Sequence, residues 1–379
     1  MSGLTLALNA GSSSFKFAAF HPGGDEVVRG QISPLGPHAT LRSGGVEEPW
    51  PHGIEADGVG RLIDWIDAHD SSGTVAAVGH RVVHGGERDG PARVDAALLA
   101  ELTALIPLAP LHQPHSLAAL HAVAAARPGL PQVACFDTSF HRTMDEVART
   151  LPLPLELREA GARHYGFHGI SYQYVASRLA VDDPAMAAGR VIVAHLGSGA
   201  SLCAMRDGRS VDTTMGMTAL DGVVMGTRTG RLDPGMVLWL MQARGMDAAA
   251  VEDTLYHRAG LLGVSGESAD VRDLGRSGSA AAGLALEMFV RSVVREAGAL
   301  AAVLGGVDGF VFTAGIGEHE AGLRARIGAG LAWLGVRLDA GLNAAYRPAP
   351  GPGRIGDGVW VIPTDEEYQI AMSTEAVLG

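Results

Sequence analysis

Lys16 is the only lysine among 379 residues, set against 28 arginines. It closely follows Gly11-Ser12-Ser13-Ser14, small residues whose backbone N–H groups can turn outward together. Such a nest suits an anion, and phosphate is the commonest one. A lysine ammonium is a compact point charge for phosphate where arginine is a planar fork. A plain tight hairpin with a solvated lysine fits the same residues, so the turn alone leaves both readings open.

The pattern occurs twice. Residues 191–193 form a second apolar run, which stops at His195 and passes into Gly197-Ser198-Gly199. Other groups capable of chemistry also stand where apolar runs end. Arg81 lies near the end of 75–83, and Asp137 follows 131–136. A third glycine loop spans 310–318, and 359–362 runs into Pro363-Thr364-Asp365-Glu366-Glu367. His168 sits within Gly166-Phe167-His168-Gly169, and Arg228 is flanked by threonines and glycines in a long loop over 215–234. No Walker A sequence is present, and the one G-x-G-x-x-G match, GPGRIG at 351–356, follows a proline-rich stretch rather than a strand-like apolar run, so the usual P-loop and dinucleotide readings fail.

The elements that must carry these groups follow from periodicity. Residues 4–20 read as a strand ending at Asn9, a small-residue turn, and a return strand over 15–20. Residues 190–212 repeat this, with a restart at 200–205 and a two-residue hairpin signal at Asp207-Gly208. Two such units about 190 residues apart suggest duplicated α/β domains facing a cleft. Helical spacing marks 59–69, 95–106, 116–126, 171–179, 235–242, 248–257 and 280–304, the last stopping at Gly305-Gly306. The stretch 140–164 is punctuated by prolines and opens the second domain. The expected division is 1–139 plus 365–379 for the first domain and 140–364 for the second.

Composition narrows the class. A chain of this length supports two domains, each with its own core. Hydrophobic residues make up 47% and charged residues 18%, with 52 glycines, as in a turn-rich globular protein. The formal net charge of −12 argues against a nucleic-acid partner, because phosphate-backbone binding needs a basic face. No apolar run reaches membrane-spanning length, and the N-terminus lacks a signal-like core. Cys135 and Cys203 read as buried hydrophobes with no disulfide or zinc spacing, and the cytoplasm is the expected compartment.

Ten motifs taken together resemble the acetate kinase family, within the superfamily of actin, sugar kinases and heat-shock ATPases. They are LNAGSSSFKF at 8–17, GHRVVHGGE at 79–87, APLHQP at 109–114, FDTSFH at 136–141 and YGFHGIS at 165–171. HLGSGAS at 195–201, MGTRTG at 225–230, DVRDL at 270–274, FTAGIGE at 312–318 and IPTDEE at 362–367 complete them in order along nearly the whole chain. The resemblance implies two ribonuclease H-like domains of the actin-like ATPase kind and a homodimer. It implies reversible transfer of a phosphoryl group between ATP and a short carboxylate, giving an acyl phosphate and ADP.

By that resemblance, Arg81 holds the substrate carboxylate and Arg228 clamps the transferring group. His168 hydrogen-bonds the equatorial oxygens, with His112 and His195 as further phosphate contacts. Charge spread over those oxygens is what such donors stabilise. Asn9 and Glu366 match the positions associated with Mg²⁺, for which Mn²⁺ is an expected substitute. Asp137 matches a proposed acid or base. A carboxylate acceptor is already ionised, so a metal-water or arginine partner is the more natural role. Val83, Leu111, Phe167 and Ala219 match the methyl pocket. Ser12, Ser14, Lys16, His195, Leu196, Gly197, Ser198 and Gly199 match nucleotide-binding positions. So do Asp270, Val271 and Arg272, and Gly315, Ile316, Gly317, Glu318 and His319.

Four positions depart from the family pattern. Ser198 and His319 stand where asparagine is usual, Tyr172 where histidine is usual and Ala219 where proline is usual. They bear on affinity and acid preference rather than on activity. Propionate and butyrate kinases share nearly every motif. A sugar kinase or an actin-like assembly protein shares only the fold.

Overall fold

The computed structural model describes residues 3–379 apart from 12, 13, 37, 70–72, 111, 349 and 350. The expected site residues Ser12 and Leu111 therefore lie outside the described residues. The chain divides into two compact units. The first comprises Met1–Arg142, Phe167–Tyr174 and Asp365–Gly379, and the second Thr143–Gly166 and Val175–Thr364. Phe167–Tyr174, expected in the second domain, thus packs with the first.

The first unit is built on eight strands: β1 (Leu4–Ala10), β2 (Phe15–Phe20), β3 (Glu26–Ser33), β4 (Thr40–Ser43), β5 (Val46–Pro49), β6 (Val75–Val82), β7 (Ala92–Arg93) and β8 (Gln132–Phe136). Their order is β5-β4-β3-β2-β1-β6-β8-β7. β1 runs antiparallel to β2 and parallel to β6, and β6 runs parallel to β8. Alternation along β1 and β2 sorts the side chains. Leu4, Leu6, Leu8, Phe15 and Phe17 pack on one face with Val59, Leu62, Ile63 and Ile66 of the helix Ala56–Asp67. Ala7, Ala18 and Phe20 pack on the other with Ile170 and with Ile370 and Ala371 of the helix Glu366–Leu378. Each large apolar side chain so buried contributes about 1.5–3 kcal/mol.

The second unit repeats the plan with β9 (Arg190–Leu196), β10 (Ala200–Arg206), β11 (Arg209–Thr213), β12 (Gly309–Thr313), β13 (Arg337–Leu338), β14 (Gly353–Asp357) and β15 (Val359–Val361). The order is β11-β10-β9-β12-β15-β14-β13. Reading from the third strand, β3-β2-β1-β6-β8 and β11-β10-β9-β12-β15 are the same sequence of antiparallel and parallel pairs. This is the duplicated ribonuclease H-like, actin-like α/β fold.

The helix Ala280–Leu304 starts where Ser279 accepts from Ala282 N and stops at Gly305, whose φ of 73° is left-handed. Sequence reading placed both ends, the start by helical spacing and the end by Gly305-Gly306, since Gly past a C-cap is a strong local signal. Residues 314–319 differ from expectation. They form the short helix Ala314–His319 rather than a glycine loop, entered through Ala314 at φ 63°. Among the described residues no helix is long and apolar enough to cross a membrane.

Candidate active site

In the first unit, the ends of β1, β6 and β8 bring together charged groups that are far apart in sequence. Arg81, the penultimate residue of β6, reaches Asp137 just past the end of β8 with a two-pronged contact. Its Nη2 lies 2.6 Å from Oδ2, and its Nε 3.2 Å from Oδ1. Asp137 is buried, and 17% of the Arg81 side chain remains exposed. Arg81 Nη1 also donates to Asn9 Oδ1 at 3.3 Å. The Asn9 amide donates to Glu366 Oε2 at 2.9 Å and Glu367 Oε1 at 3.1 Å. Arg29 on β3 closes the far side, pairing with Asp365 and Glu367.

Burial pushes the Asp137 carboxyl upward, while Arg81 and the His168 N–H pull it back. Burial likewise opposes the Arg81 charge, but Asp137 and Glu366 outweigh it and hold the guanidinium above its ordinary value. The fork geometry makes this an ionised pair, since charge-assisted bidentate bonds are the strong ones.

His168 is delivered by an unusual backbone. Its φ is 58°, and Gly166 beside it has φ 78°. Its neighbour Gly169 lies so close to β8 that a Cβ would meet the Asp137 carbonyl at 2.1 Å. Gly169 N donates to that carbonyl at 2.9 Å, and His168 O accepts from Tyr172 N, opening the helix Gly169–Asp182. Non-glycine residues at positive φ persist only where their surroundings hold them, and they cluster at functional sites. Val83 and Phe167 are buried in the same unit. His112 occupies the N-cap position of the helix Gln113–Ala126, its carbonyl accepting from Ser116 N at 3.2 Å.

Gln113, which sequence reasoning missed, accepts from His84 N and donates to His84 O, standing in for a strand partner after Val83. Arg29 and Glu367 were missed as well. Nothing local marks Arg29, and in the sequence Glu367 is only the last of the polar residues that follow 359–362.

Asn9 presents Nδ2, not Oδ1, to the carboxylates, so its amide braces Glu366. Glu366 keeps 13% of its side chain exposed. Among the described residues no group of three ligating side chains forms a metal cage. Magnesium keeps most of its waters and needs only one or two protein oxygens, so Glu366 fits it as an anchoring carboxylate.

In the second unit, a cavity of about 550 Å³ opens beside the end of β9. It is lined by Gly197, Ser198, Ala269, Asp270, Val271, Arg272, Gly315, Ile316, His319 and Glu320. The structure thus gathers eight of the expected nucleotide positions from three distant segments and adds Ala269 and Glu320. The volume suits a ligand of nucleotide size. Asp270 accepts from Arg272 N at 2.8 Å, capping the helix Val271–Ser277, and meets Arg272 Nε at 3.0 Å. Arg272 is the main cause that holds its carboxyl below the ordinary range.

Leu196 is buried, and neither it nor His195 or Gly199 lines the cavity. Gly317 and Glu318 do not line it either. Glu318 Oε1 accepts from Thr364 N at 3.1 Å. The fully buried Arg324 donates to the carbonyls of Gly317 and Glu318 at 2.9 and 2.8 Å. Its guanidinium carbon lies 5.4 Å from the centre of the Tyr346 ring, and Asn343 Oδ1 accepts from Nε at 2.8 Å. Burial lowers the Arg324 pKa, which carbonyl acceptors tolerate at a cost.

Ser14 and Lys16 belong to the first unit. Ser14 O closes the turn by accepting from Gly11 N at 2.9 Å, and Lys16 is exposed on β2. Arg228 belongs to the second. Its Nη1 donates to Ala219 O at 2.7 Å, and Met225 N donates to Arg228 O at 3.1 Å.

A family model described as "Acetokinase family" matches residues 4–372. An acetate kinase of Rhodopseudomonas palustris is 50% identical, covering 98% of this chain and 97% of that protein. An acetate kinase of Nitrobacter hamburgensis is 46% identical over 98% and 96%. Among solved structures, the acetate kinase of Porphyromonas gingivalis superposes with a TM-score of 0.86 at 35% identity, covering all of both chains. A propionate kinase of Francisella tularensis gives 0.90 at 34% identity, covering 99% of this chain and all of that one.

Proposed function

Because the chain belongs to the acetokinase family, we propose that it is an ATP:acetate phosphotransferase, interconverting ATP and acetate with acetyl phosphate and ADP. The observation that carries the site assignment is the Arg81–Asp137 fork. A guanidinium fixed by a buried carboxylate keeps one edge for an incoming carboxylate, and its planar geometry suits that ion. Arg81 binds and orients the acid, and Asp137 holds Arg81 and takes no proton from the substrate. His168 offers a hydrogen bond from a rigid turn, and Arg228 supplies positive charge to the transferring phosphoryl. The cavity by Gly197 and Gly315 takes the nucleotide. Glu366, steadied by Asn9, anchors hydrated Mg²⁺, which when bound neutralises phosphate oxygens.

Trapping of acyl phosphate by hydroxylamine, with ATP, Mg²⁺ and two- to four-carbon acids, tests the reading. Hydroxamate from acetate is expected, and none from any acid would overturn it. Propionate is the second reading, because Ala219 replaces a bulkier proline wall and the Francisella propionate kinase shares the fold.

The partners are small molecules, with no nucleic acid or membrane among them. The helix Pro234–Gln242 exposes Met236, Leu238, Trp239 and Met241. Such a run of exposed apolar side chains supports a homodimer. Two buried free thiols, Cys135 and Cys203, suit the cytoplasm.

A further inference from the structure

Twenty-eight arginines and a single lysine are an unusual balance for a chain whose product is an acyl phosphate. Acyl phosphates transfer their acyl group to amines. Guanidinium groups stay protonated and carry no free lone pair, so arginine is inert to such a donor where lysine is not. Among side chains the sequence therefore offers one amine target, and it stands at the candidate site.

Lys16 lies opposite Asn9 in the β1–β2 register, so the two side chains share a face. Asn9 is hydrogen-bonded to Arg81, Glu366 and Glu367. Lys16 is exposed, and among the described residues no side chain pairs with its ammonium. Asn9 thus links Arg81, which holds the acyl end, to the strand position that carries the only amine-bearing side chain in the sequence.

We propose that Lys16 is a self-acylation site, modified by the enzyme's own acetyl phosphate, and that the modification closes down phosphoryl transfer. The Lys16 nitrogen gives up a proton to solvent and attacks the carbonyl carbon of acetyl phosphate. The new C–N bond forms as the C–O bond to phosphorus breaks, a second proton leaves the nitrogen, and inorganic phosphate departs with the bonding pair. No oxidant or further reactant is needed. The product is a neutral amide, so a point charge beside the Gly11–Ser14 turn is lost. Accumulated product then slows its own formation.

The proposal rests on the acetate kinase reading, and the two can fail separately. Acetyl phosphate added directly, without nucleotide, supplies the donor whether or not the enzyme makes it. Peptide mapping by mass spectrometry follows acetyl on Lys16 while activity is assayed in parallel. Acylation of Lys16 in the folded chain should outpace that of a peptide spanning residues 9–20 by about fivefold or more, since binding supplies proximity.

A non-hydrolysable ATP analogue with Mg²⁺ should slow Lys16 acylation, and activity should fall in proportion to Lys16 occupancy. The residual activity of Lys16→Arg should not decline under acetyl phosphate, and Lys16→Gln should resemble the acylated protein. Acylation at the peptide's rate without nucleotide protection, full Lys16 occupancy with activity intact, or acetyl only elsewhere would each overturn the proposal. If hydroxylamine trapping finds no acyl phosphate from ATP and acetate, the function reading fails instead.

Discussion

The end of β1 and the end of β9 are the same place in two copies of one sheet, and they are used in opposite ways. At the first, Asn9 faces Lys16 across the strand pair and lies among Arg81, Asp137, Glu366 and Glu367. At the second, the equivalent pair is His195 and Ser201, both buried, and the strand leads into small residues at the edge of an open cavity. One copy concentrates charge and the other clears space. Topology fixes where a site can be built, and the residues at strand ends decide which reactant each copy handles.

The largest test of that division is arginine removal. Arg81→Ala and Arg228→Ala should each lower kcat/KM by about two to three orders of magnitude, since one such donor is worth roughly 3–4 kcal/mol in the transition state. Only Arg81→Ala should also destabilise the fold, by about 3–5 kcal/mol, because it strands Asp137 as a buried unpaired charge. Adding Asp137→Asn should return much of that stability and none of the activity. Steady-state kinetics with denaturant melts check both, and losses under tenfold for both arginines would remove their roles.

Acid should find the charged copy through its buried histidines. His80 on β6 is buried beside Gln132. Burial pushes it down to about 3, with Gln132 alongside opposing, and burial pushes His84 down to about 4. Both pKa values lie below those of the unfolded chain. The unfolded state therefore binds more protons as pH falls from about 6.5 toward 3–4, and stability is lost over that window and intact above it. The loss is on the order of a few kcal/mol. His80→Gln should flatten the dependence of melting temperature on pH, and an unchanged slope would assign it to other groups.

A smaller effect tests the open copy. Asp270→Ala removes a helix cap and the partner of Arg272 at the cavity wall, so KM for ATP should rise about tenfold, with KM for acetate moving less than about twofold. Equal shifts in both constants would blur the division of labour. Smallest are the restorations. Ala219→Pro should bring acetate and propionate, expected within about tenfold of each other, back to acetate preference, one methylene being worth about 1–3 kcal/mol. Strong acetate selectivity before and after would rule out an enlarged pocket.

Much of this was legible in the sequence because it is written locally. Strand ends at Asn9, Arg81, Asp137 and His195 follow from apolar runs meeting polar or small residues. Gly305 marks the end of its helix by capping chemistry. Residues 314–319 misled, since glycines there argue for a loop until β12 and Arg324 hold them as a helical turn. Arg29 reaches Asp365 and Glu367, Gln113 reaches His84, and Arg324 holds Asn343 and the Gly317 carbonyl, and no local pattern reports such contacts.

The helix Glu366–Leu378 has a consequence for how the chain is made. It covers one face of a sheet whose first strand begins at Leu4. During synthesis, β1 to β8 emerge early, yet Ala7, Ala18, Phe20 and Val133 must wait for Ile370 and Ala371, which arrive after the whole second unit. Domains usually fold in the order in which they leave the ribosome. Here the half that is born first is finished last, so a stalled or shortened chain exposes an apolar sheet face and becomes a target for chaperones and proteases.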